Sequence, residues 1–305
     1  MTIKIVTDST CDLPQEIVSA AGISIVPGYV NFGNQSYLDG VEISRAEFYQ
    51  RLVADKVRPT TSAPSTGAFL KLYHRLADEG ATGILSIHIS HKLSNIVNAA
   101  RLASEEFTRI PITVIDSGQL TLGLGFLALM AAEAAKLNAS MAELIEQFEQ
   151  QSIRTFSYAK LDTVEFIRRG GRMNDFQHGL ISMLDIRPIL KMNNGSPRME
   201  IVRTRKKAFE RIVEMTRQLG DLEYVGIVHA NAADQALEAL AALKAFIGPD
   251  IQPVISDVSP VLGSHVGPGA LCLVSMRRNT EASASTSPLA QIGQIFSSFT
   301  RRMGG

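Results

Sequence analysis

The sequence predicts an α/β protein made of two units, each a largely parallel or mixed sheet flanked by helices. Short apolar, β-rich runs alternate with helical patterns along the chain, which is typical of sheets covered by helices. Its 305 residues, 45% hydrophobic and 20% charged, suffice for a packed core and about two units. Several predicted strands end in hydroxyl, Asp or Gly residues just before a helix begins, as strands do in open α/β sheets.

The first unit begins with the strand IKIVTDS, after which Asp12 and Pro14 open a short helix that Gly22 closes. The run ISIVPGYVNF, residues 23–32, is predicted as the next strand. A charged helix ends before Pro59, and an apolar helical pattern begins at Phe69. The later elements are the strand GILSIHIS, the helix LSNIVNAARLASEEF, the strand ITVIDS, an apolar helix over about 122–137 and the helix MAELIEQFEQQSI.

The second unit begins near residue 155 with TFSYAKLD, which divides the chain into units 1–155 and 156–278 and a tail 279–305. RPILKMNNGSPRMEIVRTR predicts a hairpin, with turn residues at 193–195. The tail is a Ser/Thr/Ala-rich linker followed by a short amphipathic pattern, which we expect to pack on the body or on a neighbour. Further elements are the strands EYVGIVHAN, IQPVISDVS and ALCLVSM and the helix DQALEALAALKAFIG; the apolar tail residues are Leu289, Ile292, Ile295, Phe296 and Phe299.

The composition argues against several classes of partner. Lys+Arg and Asp+Glu are equal at 30 each, so no overall basic field attracts nucleic acid or an anionic membrane. The start lacks a secretory signal pattern, and Glu133 and Lys136 interrupt the longest apolar run, so we expect no stable membrane insertion and a cytoplasmic protein. Cys11 and Cys272 lack disulfide-framework or zinc-ligand spacing, and we expect them to serve packing.

Five predicted strand-to-helix loops carry the same kind of residue: VTDSTCDLP, TTSAPSTG, HISHKLSN, VIDSGQLTLGLG and SPVLGSHVGPG. In an open α/β sheet such loops gather at the carboxyl edge, where helix N-termini favour a bound anion. For any single loop, a Ser or Thr that caps its helix, worth about 1 kcal/mol, is the better explanation. Five such loops together favour a binding edge for a small negative group.

The sequence lacks the common catalytic motifs. GxxxxGK[ST], GxSxG and HExxH do not occur, and LGLGFL lacks the third glycine of a dinucleotide fingerprint. His88 and His91 have no nearby carboxylate pair, so we expect neither a metal nor a cofactor. A nucleophile remains an open alternative, because Ser94 and His265 could meet in space.

A series of motifs carries a resemblance to a known family. In order, they are IVTDSTCDLP, TTSAPS, LSIHISHKLSN, VIDSGQLTLGLG, LDTVEFIRRGGRMN, VRTRKKAFE and GSHVGPGAL. Together they resemble the DegV family of bacterial fatty-acid-binding proteins, over nearly the whole chain up to about Met276. The resemblance implies a two-domain fold that holds one long-chain fatty acid between the domains. The tail lies outside it.

The resemblance also implies a carboxylate site. Its hydroxyl donors fall on Thr61 and Ser94, with Ser62 adjacent and His265 as a further candidate. Neutral hydroxyls hold an anion less strongly than a buried bidentate arginine, which suits a ligand that must be released. The chain departs from the family pattern at Ala63, where an amide side chain is common, and at residues 95–96, where Asn-Ile replaces Gly-Thr.

Members of the family present the bound fatty acid to a separate ATP-dependent kinase. On that pattern the chain is a lipid-binding protein without catalytic activity of its own, and a fatty acid kinase subunit is its implied partner. Arg172, Arg203 and His265 then become candidates for binding phosphate or facing the kinase. The alternative is that both arginines are solvated beside tight turns, as isolated arginines usually are.

The acyl chain requires a dry tunnel, and the apolar helix at LGLGFLALMAA is the first candidate for its wall. Gly123 and Gly125 are expected to leave room at the start of this helix. Ordinary core packing explains the same pattern equally well. The candidate tunnel residues are Leu124, Phe126, Leu127 and Met130, with Met183 and Leu184 from the second unit.

Two other functions remain open at this level. A small-molecule phosphotransferase or hydrolase could use the same anion-binding edge, since a fold does not fix a function. A structural or regulatory protein could hold a lipid only as part of its core.

Overall fold

The computed structural model describes residues 2–54, 57–171 and 186–279. In these ranges two sheets are flanked by helices, and a small third sheet lies beside them. The strands are β1 Ile3–Asp8, β2 Ser24–Val26, β3 Tyr29–Phe32, β4 Gln35–Leu38, β5 Thr60–Ser62, β6 Gly83–His88, β7 Ile112–Asp116, β8 Thr155–Lys160, β9 Arg187–Asn193, β10 Ser196–Val202, β11 Leu222–His229, β12 Val254–Asp257 and β13 Leu271–Arg277. The helices are α1 Gln15–Ala21, α2 Arg45–Ala54, α3 Thr66–Asp78, α4 Ile96–Glu106, α5 Thr121–Lys136, α6 Met141–Ser152, α7 Glu165–Arg169, α8 Arg205–Arg217, α9 Ala233–Lys244 and α10 Pro260–Val266, with a 3₁₀ turn at Ser9–Cys11.

The first sheet has the order β2-β1-β6-β7, and all its neighbours are parallel. Every residue of β6 is buried, as expected for a strand covered on both faces. Because the strands are parallel, Asp8, His88 and Asp116 end β1, β6 and β7 at the same edge. The predicted gathering of polar loops at one edge is confirmed for these three strands.

The second sheet has the order β10-β9-β8-β13-β11-β12 and is mixed. β11 and β12 are parallel, whereas the other neighbours are antiparallel. The predicted hairpin is present as β9 and β10, and its turn places Asn194 at φ 47° and Gly195 at φ 68°. Two successive positive φ values are typical of a type I′ turn, which Asn and Gly tolerate best.

The single strand predicted over residues 23–32 is wrong. Its first part, β2, pairs with β1, whereas its second part, β3, pairs with β4 and β5 in the third sheet. Pro27 has no backbone N–H to give to a ladder, and the chain turns there. Gly28 then packs closely, since a Cβ at this position would lie 3.1 Å from a methyl group of Val261. The proline therefore separates two sheets.

Helix α5 lies between the two main sheets, where it contacts β1 and β6 of the first and β8, β11 and β13 of the second. Its residues from Thr121 to Ala134 are all buried, which explains why the pattern is apolar on every side. The glycines do not leave room beside the helix. A Cβ at Gly123 would lie 2.7 Å from the Gln119 side chain, and one at Gly125 would lie 2.6 Å from the Cys11 carbonyl oxygen.

Helix α10 joins the two halves of the chain. It follows β12 in sequence, yet it contacts α2, β3, β5 and the 3₁₀ turn of the first half as well as α7. The sequence did not predict α7, α8, α10 or β4. One hydrophobic cluster includes buried residues from Ile3 to Met276, so the division near residue 155 stays a prediction even though β8 begins there. Arg172, Met183, Leu184 and the apolar tail pattern lie outside the described residues.

Candidate functional site

A pocket of about 240 Å³ opens beside α10, which contacts both β5 and α7. Residues 58–61, four residues of the segment 165–170 and the pair 264–265 line it. Three segments far apart in sequence therefore meet at one place. Of the residues proposed from the sequence, the pocket brings together Thr61 and His265.

Thr61 and His265 are joined directly. The Thr61 hydroxyl oxygen lies 2.8 Å from Nε2 of His265, and both residues are half-buried. A hydroxyl has one proton to donate. If Thr61 donates it to a bound carboxylate, its oxygen must accept a hydrogen bond from Nε2–H of the imidazole. His265 is then the residue that orients the Thr61 hydroxyl toward the ligand.

The His265 ring is held by a glycine in the pocket wall. A Cβ at Gly170 would lie 2.9 Å from Cε1 of His265 and closer still to Nδ1, so only glycine leaves the ring in place. Gly170 ends α7 at φ −72°, and its backbone would accept any residue. Gly267 differs, because its φ is +72° and a Cβ there would overlap the Phe166 ring. Close approach therefore requires glycine at 170, and both backbone geometry and close approach require it at 267.

Positive charge surrounds the pocket. The Arg58 guanidinium lies 5.4 Å from the centre of the Phe166 ring and donates to the Leu52 carbonyl oxygen at 3.2 Å. Arg169 also lines the pocket, where its guanidinium is 2.6 Å from the carboxylate of Glu165. Two guanidiniums against one carboxylate leave a net positive charge, which favours an anion beside the hydroxyl. Arg58, Arg169 and Gly170 were not predicted as site residues, although Arg58 precedes TTSAPS by two residues and the motif LDTVEFIRRGGRMN contains the other two.

The other proposed carboxylate donors lie elsewhere. Ser62 is the next residue along β5, so its side chain points away from that of Thr61, and its oxygen accepts from the Asn31 amide at 3.0 Å. Ser94 is half-buried in the loop before α4, where its oxygen is 3.4 Å from the backbone nitrogen of Ile96. Arg203 is exposed just before α8. None of these three is among the described residues that line the pocket.

The candidate tunnel residues on α5 are buried in the core. Leu124, Phe126 and Leu127 have no exposed surface, and Met130 is 6% exposed. The Phe126 ring lies 5.5 Å from that of Tyr224 on β11. These contacts agree with ordinary core packing, and their role as tunnel walls stays a prediction.

A capping role explains part of the hydroxyl-rich segment. Ser65 precedes α3, and its side chain accepts from the backbone nitrogen of Ala68 at 3.2 Å. Within the segment 60–66, Thr61 on β5 lines the pocket, whereas Ser65 caps the N-terminus of α3. The capping interpretation is confirmed for Ser65.

A second imidazole–hydroxyl pair lies inside the first sheet. Nε2 of His88 is 2.7 Å from the Ser86 oxygen, and Nδ1 is 3.0 Å from the Asp8 carboxylate. The Ser86 oxygen also lies 2.9 Å from the Tyr73 hydroxyl. None of these four residues has exposed surface, so a substrate cannot reach Ser86. The hydrogen bonds among them therefore stabilise the core.

Two buried carboxylates of the first half of the chain accept hydrogen bonds from the backbone at the start of α10. Asp12 accepts from the Thr121 hydroxyl at 2.6 Å and from the Ser259 backbone at 2.9 Å. Burial raises the pKa of Asp12 to about 6, although Arg45 opposes this. Asp39 accepts from Ser9 at 2.8 Å and faces the backbone nitrogen of Val261 at 3.4 Å, and burial raises its pKa to about 7.

The structure also bears on metal binding, on the two cysteines and on membrane insertion. In the described ranges, no three His, Cys, Asp or Glu side chains cluster in a way that could hold a metal ion. Cys11 and Cys272 are buried free thiols, and burial raises the pKa of Cys11 to about 12. No helix within the described parts of the chain is long and apolar enough to cross a membrane.

Solved structures share this architecture. The fold matches that of DegV of Bacillus subtilis, which is described as a fatty acid binding protein, with a TM-score of 0.83 and 30% identity. The match covers 91% of this chain and 100% of the other. A DegV family protein of Thermus thermophilus, whose fatty acid binding has been described, matches over the same shares with a TM-score of 0.82 and 31% identity.

The sequence comparisons agree. A DegV domain-containing protein of Streptomyces coelicolor is 37% identical over 280 residues, which covers 90% of this chain and 99% of the relative. The family model "Uncharacterised protein, DegV family" matches residues 2–278. Family model, relatives and fold therefore lead to one conclusion: the chain belongs to the DegV family.

Proposed function

We propose that this protein binds one long-chain fatty acid, with the carboxylate at the pocket of Thr61 and His265 and the acyl chain buried. The observation that carries the proposal is the 2.8 Å contact between the Thr61 hydroxyl and the imidazole in a pocket with excess positive charge. The description of DegV from Bacillus subtilis as a fatty acid binding protein supports the choice of ligand.

Within this proposal, Thr61 and Ser94 donate to the carboxylate, with Ser62 adjacent and His265 orienting Thr61. Pocket geometry supports Thr61 and His265, whereas the family resemblance supports Ser94 and Ser62. The acyl chain extends along α5 past Leu124, Phe126, Leu127 and Met130, with Met183 and Leu184 from the second half.

The proposal extends to a partner. The protein presents its fatty acid to a separate ATP-dependent fatty acid kinase and has no catalytic activity alone. Arg172 and Arg203 then contact phosphate or the kinase, and the exposed position of Arg203 leaves it accessible to a second protein. This partner rests on the family resemblance.

Three serine and threonine variants test the carboxylate site. A hydrogen bond to a charged group contributes about 1.5–3 kcal/mol, so T61A should weaken fatty acid binding by about 10- to 100-fold. S94A should weaken it by a similar factor if Ser94 donates, and S62A should have less effect because the Ser62 side chain points away from that of Thr61 and does not line the pocket. The measurement is the dissociation constant for a fluorescent long-chain fatty acid in delipidated protein.

The matched control is S104A, which removes an exposed hydroxyl on α4. Unchanged binding in the T61A/S94A double variant, with its fold intact by circular dichroism, would reject the proposed donors. Native mass spectrometry of the unmodified protein tests the ligand itself, through a one-to-one lipid adduct. ATP turnover or ester cleavage by the protein alone would instead favour an enzyme.

A further inference from the structure

A second and larger cavity separates the edges of the two main sheets. It measures about 1250 Å³ and shares none of its lining residues with the Thr61–His265 pocket. β2 and α1 form one wall, with Ile17 and Ile25, and β12 and α9 form the other, with Leu240 and Ile255. We call this cavity the edge cleft.

The size of the edge cleft favours a polypeptide over a small molecule. Small-molecule pockets measure roughly 300–1,000 Å³, and the edge cleft would hold about 40 waters at liquid density. Its rim includes Val41, an apolar side chain that is 70% exposed. Both walls are sheet edges in the described topology, with backbone groups that face away from the sheet.

The described chain ends next to this cleft. The Arg278 guanidinium lies 3.0 Å from the carboxylate of Asp221 and 3.3 Å from that of Asp250. Asp250 precedes Gln252 and Pro253, which line the cleft, by two and three residues. The nine residues 280–288 span up to about 30 Å when extended, so the segment after them can reach either wall.

The sequence of that segment fits a groove. Leu289, Ile292, Phe296 and Phe299 are spaced i, i+3, i+7 and i+10, which is the anchor pattern of an amphipathic segment bound in an apolar groove. The cleft lining carries three carboxylates and three cations, so the apolar anchors and not charge carry the fit; these residues are Glu16, Asp39, Asp257, Arg45, Arg75 and Lys244. The segment lies beyond the family model, which ends at residue 278.

We propose that residues 289–299 of this chain bind in its own edge cleft, with the four apolar anchors against the walls formed by α1, β2, α9 and β12. The segment thereby bridges the two main sheets. This inference is independent of the fatty acid site.

A single tryptophan tests the proposal, because the chain contains none. In F296W, we expect emission at short wavelength and weak quenching by acrylamide, at all protein concentrations. I25D and L240D, which place a charge on opposite walls, should each shift the F296W emission to long wavelength. L102D is the matched control, because Leu102 lies on α4 away from the cleft and is already 57% exposed.

Several results would overturn the proposal. Long-wavelength emission from F296W alone would mean that the segment is solvated. If circular dichroism shows that at least one wall variant is folded, short-wavelength emission of F296W that is unchanged in both I25D and L240D would mean that the segment binds outside the edge cleft. Burial that grows with concentration, together with a dimer in sedimentation, would assign the cleft to the segment of a second copy. If one equivalent of oleate shifts the F296W emission to long wavelength, the edge cleft would be assigned to the acyl chain instead.

Discussion

Two imidazole–hydroxyl pairs of nearly equal length lie in different surroundings. His88 is 2.7 Å from Ser86 and His265 is 2.8 Å from Thr61. The first pair has no exposed surface and is bounded by Asp8 on one side and Tyr73 on the other. The second pair is half-buried at a pocket that carries excess positive charge.

The difference shows that the surroundings, and not the length of a hydrogen bond, decide what such a pair can do. Around His88 the series is closed: a carboxylate can only accept, so Nδ1–H donates to Asp8, while Nε2 and the Ser86 and Tyr73 hydroxyls bond to one another inside the core. No ligand can reach these groups. Around His265, the Thr61 hydroxyl faces a pocket.

The largest effect is expected from D8A, which disrupts the buried His88–Ser86 pair. D8A removes a carboxylate that accepts from the Thr10 backbone and hydroxyl, from His88 and from the Ile89 backbone. Each buried donor left without a partner costs about 1–3 kcal/mol, so the free energy of unfolding should fall by at least about 3 kcal/mol. Urea denaturation measures it.

D116A is the matched control for D8A. Asp116 also accepts from an imidazole, that of His91, but His91 is 49% exposed and water can replace the lost partner. Its loss of stability should be clearly smaller. Equal losses in D8A and D116A would contradict the proposed difference between closed and open pairs.

A smaller effect, on binding alone, is expected from G170A. The added methyl must displace the His265 ring, which then no longer orients Thr61. Fatty acid affinity should fall about tenfold, which corresponds to about 1.4 kcal/mol, while the far-ultraviolet circular dichroism stays unchanged. G67A provides the control, because a methyl there meets only the Ser65 hydroxyl at 3.8 Å. Wild-type affinity in G170A would show that the ring position is unimportant.

The smallest effect concerns the charge of the open pair. R58A removes a cation that lines the pocket, but the side chain is exposed and exposed charges contribute less than about 1 kcal/mol. We expect affinity to fall about threefold at low salt and the difference to shrink as salt is added. R168A, on α7 outside the pocket lining, should leave affinity unchanged. A salt-independent loss in R58A would indicate a packing effect instead.

Local patterns were sufficient to predict most elements of the fold. β1, β6 and β7 are apolar runs bounded by polar loops, and α5 is apolar along its whole length because two sheets cover it. The run 23–32 misled the prediction because an apolar pattern on both sides of Pro27 does not reveal that its halves join different sheets. Short elements such as α10 have too few residues to show a period.

The site was predictable only in part. Thr61 and His265 came from the family resemblance, since 204 residues separate them and no local pattern joins them. Gly170 lies in the motif LDTVEFIRRGGRMN, but only the fold reveals that the His265 ring occupies the space that a side chain at this position would need. Arg58 was inconspicuous for the same reason, because its stacking on Phe166 joins two distant segments.

The buried carboxyls of Asp12 and Asp39, which hydrogen-bond to the segment of α10, make the stability of the fold depend on pH. Both carboxyls have pKa values raised from the ordinary 3.8, to about 6 and about 7. As pH falls from 8 toward 4, the folded chain takes up these protons before the unfolded chain does, so each group adds to the free energy of unfolding. The fold that positions α10 and His265 is thus more stable toward unfolding in mild acid than at alkaline pH.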